Sequence, residues 1–150
     1  MGQELTAAAV ADILKDVFAS MVNLPLADAP EGAAVAGQAA TAIVGLIGKP
    51  GRIAVLKAGE RLARGMAGGM LMADYPAWND EVRDAFAEIA NMTAGNIKAR
   101  CFADLGLSLS LPTVLFGSDY SMSSARLRPV AEYRGASGGE IIQVTVAEEI

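Results

Sequence analysis

The chain has no histidine and a single cysteine among its 150 residues. A His-based catalytic triad and a structural zinc site both need side chains that are missing, so a self-contained hydrolase is disfavoured and no metal site is expected. Cys101 has no intramolecular partner for a disulfide and reads as a small buried hydrophobe. With no basic, apolar, cleavable leader at the start, the expectation is a cytoplasmic protein in a reducing compartment. Basic residues are scarce as well: 12 against 17 acidic ones give a net charge of -5, the wrong sign for gripping a phosphate backbone, so nucleic acid is not an expected partner.

Long apolar runs are also lacking. Residues 32–48 are free of formal charge until the lysine that follows them, but the stretch falls short of the ~20 apolar residues a membrane span needs and holds Gln38, Thr41 and several glycines. It reads as a loop feeding a buried strand, and no membrane partner is expected. The opening Met1-Gly2-Gln3-Glu4-Leu5-Thr6 formally fits an N-myristoylation pattern, a pattern short enough to arise often by chance.

What the chain does have is apolar content, 53% hydrophobic against 19% charged residues, enough for a single domain over 1–150 to bury roughly two thirds of its unfolded surface. Val10, Ile13, Leu14, Val17, Phe18 and Met21 recur at spacings of three and four, which predicts an amphipathic helix over 4–22 ending before Pro25. Residues 23–38 mix prolines, glycines and small residues and predict irregular chain or a weak edge strand. The β-branched runs 41–47 and 52–57 flank Gly48-Lys49-Pro50-Gly51, a hairpin signature. Helical spacing returns over 59–72 through Leu62, Met66, Met70 and Leu71, with Met66, Met70 and Met72 read as core. Gly65, Gly68 and Gly69 each cost about 1 kcal/mol there against alanine, which close packing against a neighbour would explain. Arg64-Gly65-Met66-Ala67-Gly68-Gly69 lacks the Lys-Ser/Thr ending of a phosphate loop.

Beyond Tyr75-Pro76, Asn79 or Asp80 can cap a second long helix running to Arg100. Trp78 reads as a staple against that helix, with a partner contact as the alternative. Asp80, Glu81 and Asp84 suit the helix dipole and do not make a convincing metal site. Three strands should follow, over 107–116, 125–133 and 140–146, with turns at Gly117-Ser118 and across 135–139. The expected fold class is α+β, a mainly antiparallel sheet packed against several long helices. Ile141, Ile142, Val144 and Val146 suggest an unprotected edge suited to homodimerisation.

On a wheel of 100° per residue, Val82, Phe86, Ile89, Thr93 and Ile97 fall within about 80° and should face the core. Asp84, Glu88, Asn91, Gly95 and Lys98 fall on the other side, facing solvent or a partner. Glu88 and Asn91, three residues apart, have Cβ atoms about 5 to 6 Å from each other and point outward together. The plain reading is a surface glutamate and a tolerated polar residue. Against it, asparagine is a mediocre helix former, and Gly95 one turn on would let another surface approach the backbone closely. Asn96, at the rim of the apolar sector, should be structural, its amide needing hydrogen bonds.

The run Glu88-Ile89-Ala90-Asn91-Met92-Thr93-Ala94-Gly95-Asn96-Ile97-Lys98 resembles the signature helix of the CheX, CheC and FliY family of chemotaxis phosphatases. The hairpin from Ile43-Val44-Gly45-Leu46 to Gly51-Arg52-Ile53-Ala54-Val55, the helix after it, and Leu109-Ser110-Leu111-Pro112-Thr113-Val114 with Gly117 are similar to that family in the same order. The resemblance covers roughly 41–117. One Glu-x-x-Asn helix rather than two is similar to the CheX branch, whose members are commonly homodimers.

The resemblance implies removal of the phosphoryl group from the aspartate of a phosphorylated CheY-like response regulator. Glu88 and Asn91 would be the catalytic positions, with Asp84, Gly95 and Lys98 as partner contacts. This chain would bind no cofactor of its own, the Mg2+ being expected on the response-regulator partner. Asn91 would orient the attacking water, and Glu88 would dock on the partner's active-site lysine. Two other roles compete with this one: a non-catalytic module that binds the regulator through the same face, and a structural part of the flagellar switch.

Overall fold

The computed structural model describes residues 2–118 and 125–150. Its sheet is antiparallel throughout and has seven strands: β1 (Ala27–Asp28), β2 (Ala39–Ile47), β3 (Arg52–Gly59), β4 (Ser108–Leu109), β5 (Thr113–Gly117), β6 (Leu127–Ser137) and β7 (Glu140–Glu149). In space they run β1-β6-β7-β3-β2-β4, with β5 also paired to β2. Three helices, α1 (Ala7–Val17), α2 (Glu60–Leu71) and α3 (Asp80–Cys101), pack on the sheet. The fold class is therefore α+β.

The alternation of β2 and β3 decides which sheet face becomes core. Ala40, Ala42, Val44 and Leu46 alternate with residues on the opposite face, as do Ala54, Leu56 and Ala58, and both sets are buried. They join Ile142, Val144 and Val146 of β7 in one apolar cluster with Ile13, Leu14, Phe18, Met66, Phe86, Ile89 and Ile97 from the helical side.

Local chemistry sets the element ends. Thr6 caps α1 by accepting the Ala9 N–H at 3.1 Å, so the helix starts later than residue 4. A π-helical turn, Phe18–Val22, carries it on to Asn23 in the left-handed conformation (φ 58°). The hairpin forms as expected, with Leu46 opposite Arg52, and its pairing extends to Ala39 opposite Gly59. Of the two candidate caps for α3, Asn79 is the one used: its Oδ1 accepts the Val82 N–H at 2.9 Å. Gly69 confirms the packing reading of the α2 glycines, because an added Cβ would lie 1.8 Å from the Val22 carbonyl oxygen.

Several expectations are overturned. β7 is not an edge: it lies between β6 and β3, so Ile142, Val144 and Val146 are core residues and cannot form an edge-strand dimer surface. The turn expected over 135–139 shrinks to Gly138-Gly139, at φ 58° and 82°. Gly135 stays in β6, where the Leu26 Cδ1 would come within 2.8 Å of an added Cβ, so this glycine serves a close approach. The strand expected over 107–116 is broken into β4 and β5. Met72 is 92% exposed because it takes the left-handed position that ends α2 (φ 56°), which turns it out of the core. Trp78 does staple α3 as expected, packing against the cluster of Ala67, Val82 and Ala85, and its ring also stacks on Phe116 of β5, centroids 4.3 Å apart and planes 5° from parallel.

Met1, which opens the myristoylation pattern, lies outside the described residues. Among them, no helix is long and apolar enough to cross a membrane.

Candidate functional site

The platform for the site is α3, which is held at both ends. At its start are the Asn79 cap and the Trp78–Phe116 stack. At its end, Arg100 pairs with Asp16 of α1 at 2.7 Å, and the Arg100 carbonyl accepts the Gln3 N–H at 2.7 Å. Phe102, just beyond, lies under the Arg52 guanidinium at 4.5 Å, and Arg52 pairs with Glu148 at 3.0 Å. An ion pair as exposed as Arg100–Asp16 adds little stability, but these contacts together tie the helix to three other elements.

The wheel is borne out on the inner side. Val82, Phe86, Ile89, Thr93 and Ile97 are all buried, and the Thr93 hydroxyl donates to the Ile89 carbonyl at 2.8 Å. Ala85, Ala90 and Ala94 widen this buried sector. On the outer side Glu88 and Asp84 are exposed, while Asn91, Gly95 and Lys98 are half-buried. Asn96 is also half-buried, and its amide donates to the Met92 carbonyl at 2.8 Å, as a structural role requires.

The carboxylates along this face differ in their company. Arg83 holds Asp80 at 3.3 Å and Asp84 at 3.0 Å, and Glu81 accepts the Tyr75 hydroxyl at 2.6 Å, which keeps that phenol protonated above its ordinary range. Glu88 has no hydrogen bond or ion pair among the described residues, and neither does the Asn91 amide. Two neighbouring polar groups on one helix are thus without a protein partner among the described residues, a carboxylate to attract a cation and a carboxamide to donate and accept hydrogen bonds.

Gly95 is less open than its place on the wheel suggests. Leu109 of β4 lies beside it, with Cδ1 3.7 Å from where a Cβ would be, so one neighbour on that flank is the chain's own strand. Lys98 belongs to the last turns of α3, where a cation favours the helix dipole. Cys101 is half-buried against the core, and burial raises its thiol pKa. Among the described residues no three His, Cys, Asp or Glu side chains stand close enough to hold a metal ion.

A concavity of about 520 Å³ is lined by Arg61, Arg64, Met72, Asp74 and Tyr75 with the α2 glycines, and none of its residues belongs to α3.

Fold and face together define first a class, an α+β scaffold of the CheC-like kind that presents a polar helix face. A family model described as chemotaxis phosphatase CheX matches residues 40–134, and the chain belongs to that family. Its structure is similar to the chemotaxis protein CheX from Vibrio vulnificus, with a TM-score of 0.78, 20% identity and 95% of each chain covered. It is also similar to a chain of the CheX-CheY-BeF3-Mg2+ complex from Borrelia burgdorferi, with a TM-score of 0.73 and 19% identity over 99% of this chain and 100% of that one. Thermotoga maritima FliY gives a TM-score of 0.63 at 11% identity, covering 98% of this chain and 92% of that one. At such identities the likeness is one of fold. No curated protein matches the chain.

Proposed function

We propose that this protein removes the phosphoryl group from the aspartate of a CheY-like response regulator. The observation that carries the reading is the pair Glu88 and Asn91, adjacent on the outer face of a fixed helix and without partners among the described residues. An aspartyl phosphate hydrolyses slowly unaided, and the regulator brings its own Mg2+ to neutralise the phosphoryl oxygens. What remains is to hold a water in line with the P–O bond to the aspartate. The water oxygen attacks phosphorus, the aspartate leaves as a carboxylate, and the water's proton passes to the released phosphate.

Asn91 suits the water because a neutral carboxamide accepts and donates hydrogen bonds without repelling the anionic phosphoryl group. Glu88 carries the wrong charge to approach the phosphate, so it docks on the lysine of the regulator's active site. A charge-assisted contact of that kind is worth about 1.5 to 3 kcal/mol where water is excluded. Asp84, Gly95 and Lys98 extend the docking face around the pair. The CheX–CheY complex from Borrelia burgdorferi supports the choice of partner.

The protein acts in the cytoplasm, where such regulators work, as a single domain. It is a homodimer that joins through a surface other than β7, and light scattering tests this, since a monomer at high concentration would remove that part of the proposal.

The deciding experiment measures phosphate release from a magnesium-bound, phosphorylated receiver domain with and without this protein. Acceleration is expected. Binding without acceleration would make the chain a sensing or sequestering module instead.

A further inference from the structure

The chain that follows α3 folds back along it. Leu109 lies against Gly95, and Phe116 stacks on Trp78, just before the helix begins. From Gly95 back to Trp78 the helix and its cap advance roughly 25 Å at about 1.5 Å per residue. From Leu109 to Phe116 extended chain covers roughly 23 Å at about 3.3 Å per residue. Two antiparallel runs of nearly equal length, matched at both ends, bring Leu111 level with the helical turn that carries Asn91.

The strand register shows why Leu111 faces outward. Leu109 pairs with Leu46, and Thr113 pairs with Ile43. Between them Ser110 is clamped to Gly45, its N–H donating to the Gly45 carbonyl at 2.9 Å and its hydroxyl oxygen accepting the Gly45 N–H at 2.7 Å. Val44 is therefore opposed by both Leu111 and Pro112, which is a β-bulge, the device that re-aims a side chain beside a functional site. Leu111 is 90% exposed. Ser110 fixes the backbone before it, and Pro112 restricts Leu111 itself to extended conformations. The leucine is thus held in water on the segment that runs back along α3.

We infer that Leu111 is an apolar docking contact for the receiver domain, and this rests on the function proposed above. The partner's chemistry follows from charge. Asp80, Glu81, Asp84 and Glu88 line the neighbouring face, so a second copy presenting the same face in a two-fold contact would meet it with like charges, whereas a receiver that offers a lysine meets it with the opposite one. The helix supplies polar orientation, and the leucine supplies buried apolar area at the edge of the same contact.

The test uses the full chain and the CheY-like receiver that wild type binds most tightly in its beryllofluoride–Mg2+ form, measuring that affinity together with turnover. Leu111→Asp should weaken binding at least tenfold and raise KM by a similar factor, the loss falling in KM rather than in kcat. Leu111→Met should stay within threefold of wild type, and circular dichroism should give the same melting temperature for all three. An unchanged affinity for Leu111→Asp overturns the inference while leaving the function intact. A change of oligomeric state with unchanged affinity also overturns it, by assigning Leu111 to self-association. If wild type binds the receiver but does not accelerate hydrolysis, the phosphatase reading falls and the affinities alone judge Leu111. If wild type neither binds nor accelerates, both fall.

Discussion

Helices α2 and α3 pack side by side on the same sheet, yet their glycines and carboxylates serve different ends. In α2 two of the three glycines are consumed by packing: Gly69 admits the Val22 carbonyl and Gly68 lies under the Ala73 carbonyl, while Glu60 is 3.3 Å from the Arg64 Nε. In α3 the one glycine meets nothing closer than Leu109 at 3.7 Å, and Glu88 and Asn91 are left unpaired among the described residues. A helix whose small and charged residues mostly meet internal partners is largely finished by folding. One that leaves such residues open on its outer face keeps them free to meet another molecule.

Substitutions can break or sharpen this contrast, starting with the largest expected effect. Gly69→Ala puts a methyl 1.8 Å from a backbone oxygen, and overpacking of that kind should destabilise by about 3 kcal/mol. Thermal denaturation should show a fall of roughly 10 °C, and a melting temperature unchanged from wild type would mean that α2 is not closed by packing. Asn91→Ala should do the reverse, lowering phosphate release about 100-fold, or about 2.7 kcal/mol, while melting rises slightly through the better helix propensity of alanine. Activity retained in that variant would place the water-orienting group elsewhere.

Glu88→Ala should lower kcat/KM about tenfold, and stopped-flow measurements across ionic strength should find its salt dependence weaker than that of wild type, as expected when a docking charge is lost. Gly95→Ala should raise stability by about 0.5 to 1 kcal/mol through helix propensity, since Leu109 is already at ordinary contact distance. If the partner also lies against Gly95, the more stable variant will bind the receiver less tightly, which calorimetry would register.

The smallest effect concerns Glu81, one of the α3 acids that do have a partner. The Tyr75 phenol is held above its ordinary pKa first by its hydrogen bond to Glu81, then by burial and by that residue's charge. A raised folded-state pKa means that the contact contributes fully below about pH 10, where the unfolded tyrosine titrates, and fades as the pH rises further. Tyr75→Phe should therefore flatten the alkaline end of the stability profile and shift melting at neutral pH by about 2 °C or less. A loss of receiver turnover in this variant would show that pairing alone does not separate structural from functional carboxylates.

The parts of the molecule legible in the sequence are those set by local periodicity. The apolar spacing of α1 and α3 and the Gly48-Lys49-Pro50-Gly51 turn each depend on a few adjacent residues, and so does the outward placement of Glu88 and Asn91. Sheet order does not. Whether Ile142 and Val144 lie at an edge or in the middle depends on which distant strands pair with them, and the same β-branched run serves either position. Gly135 resembled turn chemistry because its glycine neighbours are turn residues, while its own reason is the Leu26 side chain crowding it from far along the sequence. The bulge at Leu111 and Pro112 was hidden for a related cause: a one-residue slip shows only when β4 and β5 are both registered against β2.

The interior place of β7 has a consequence during synthesis. Residues 140–149 join two blocks made at different times, the β2–β3 hairpin and β6. β6 meets its partner after a two-residue turn, but the open side of β3 stays a bare row of amides and carbonyls until β7 is made. Nascent chains of this protein therefore pass through a long interval in which only their rate of emergence, and whatever companions attend them, keeps that row from pairing with a neighbour.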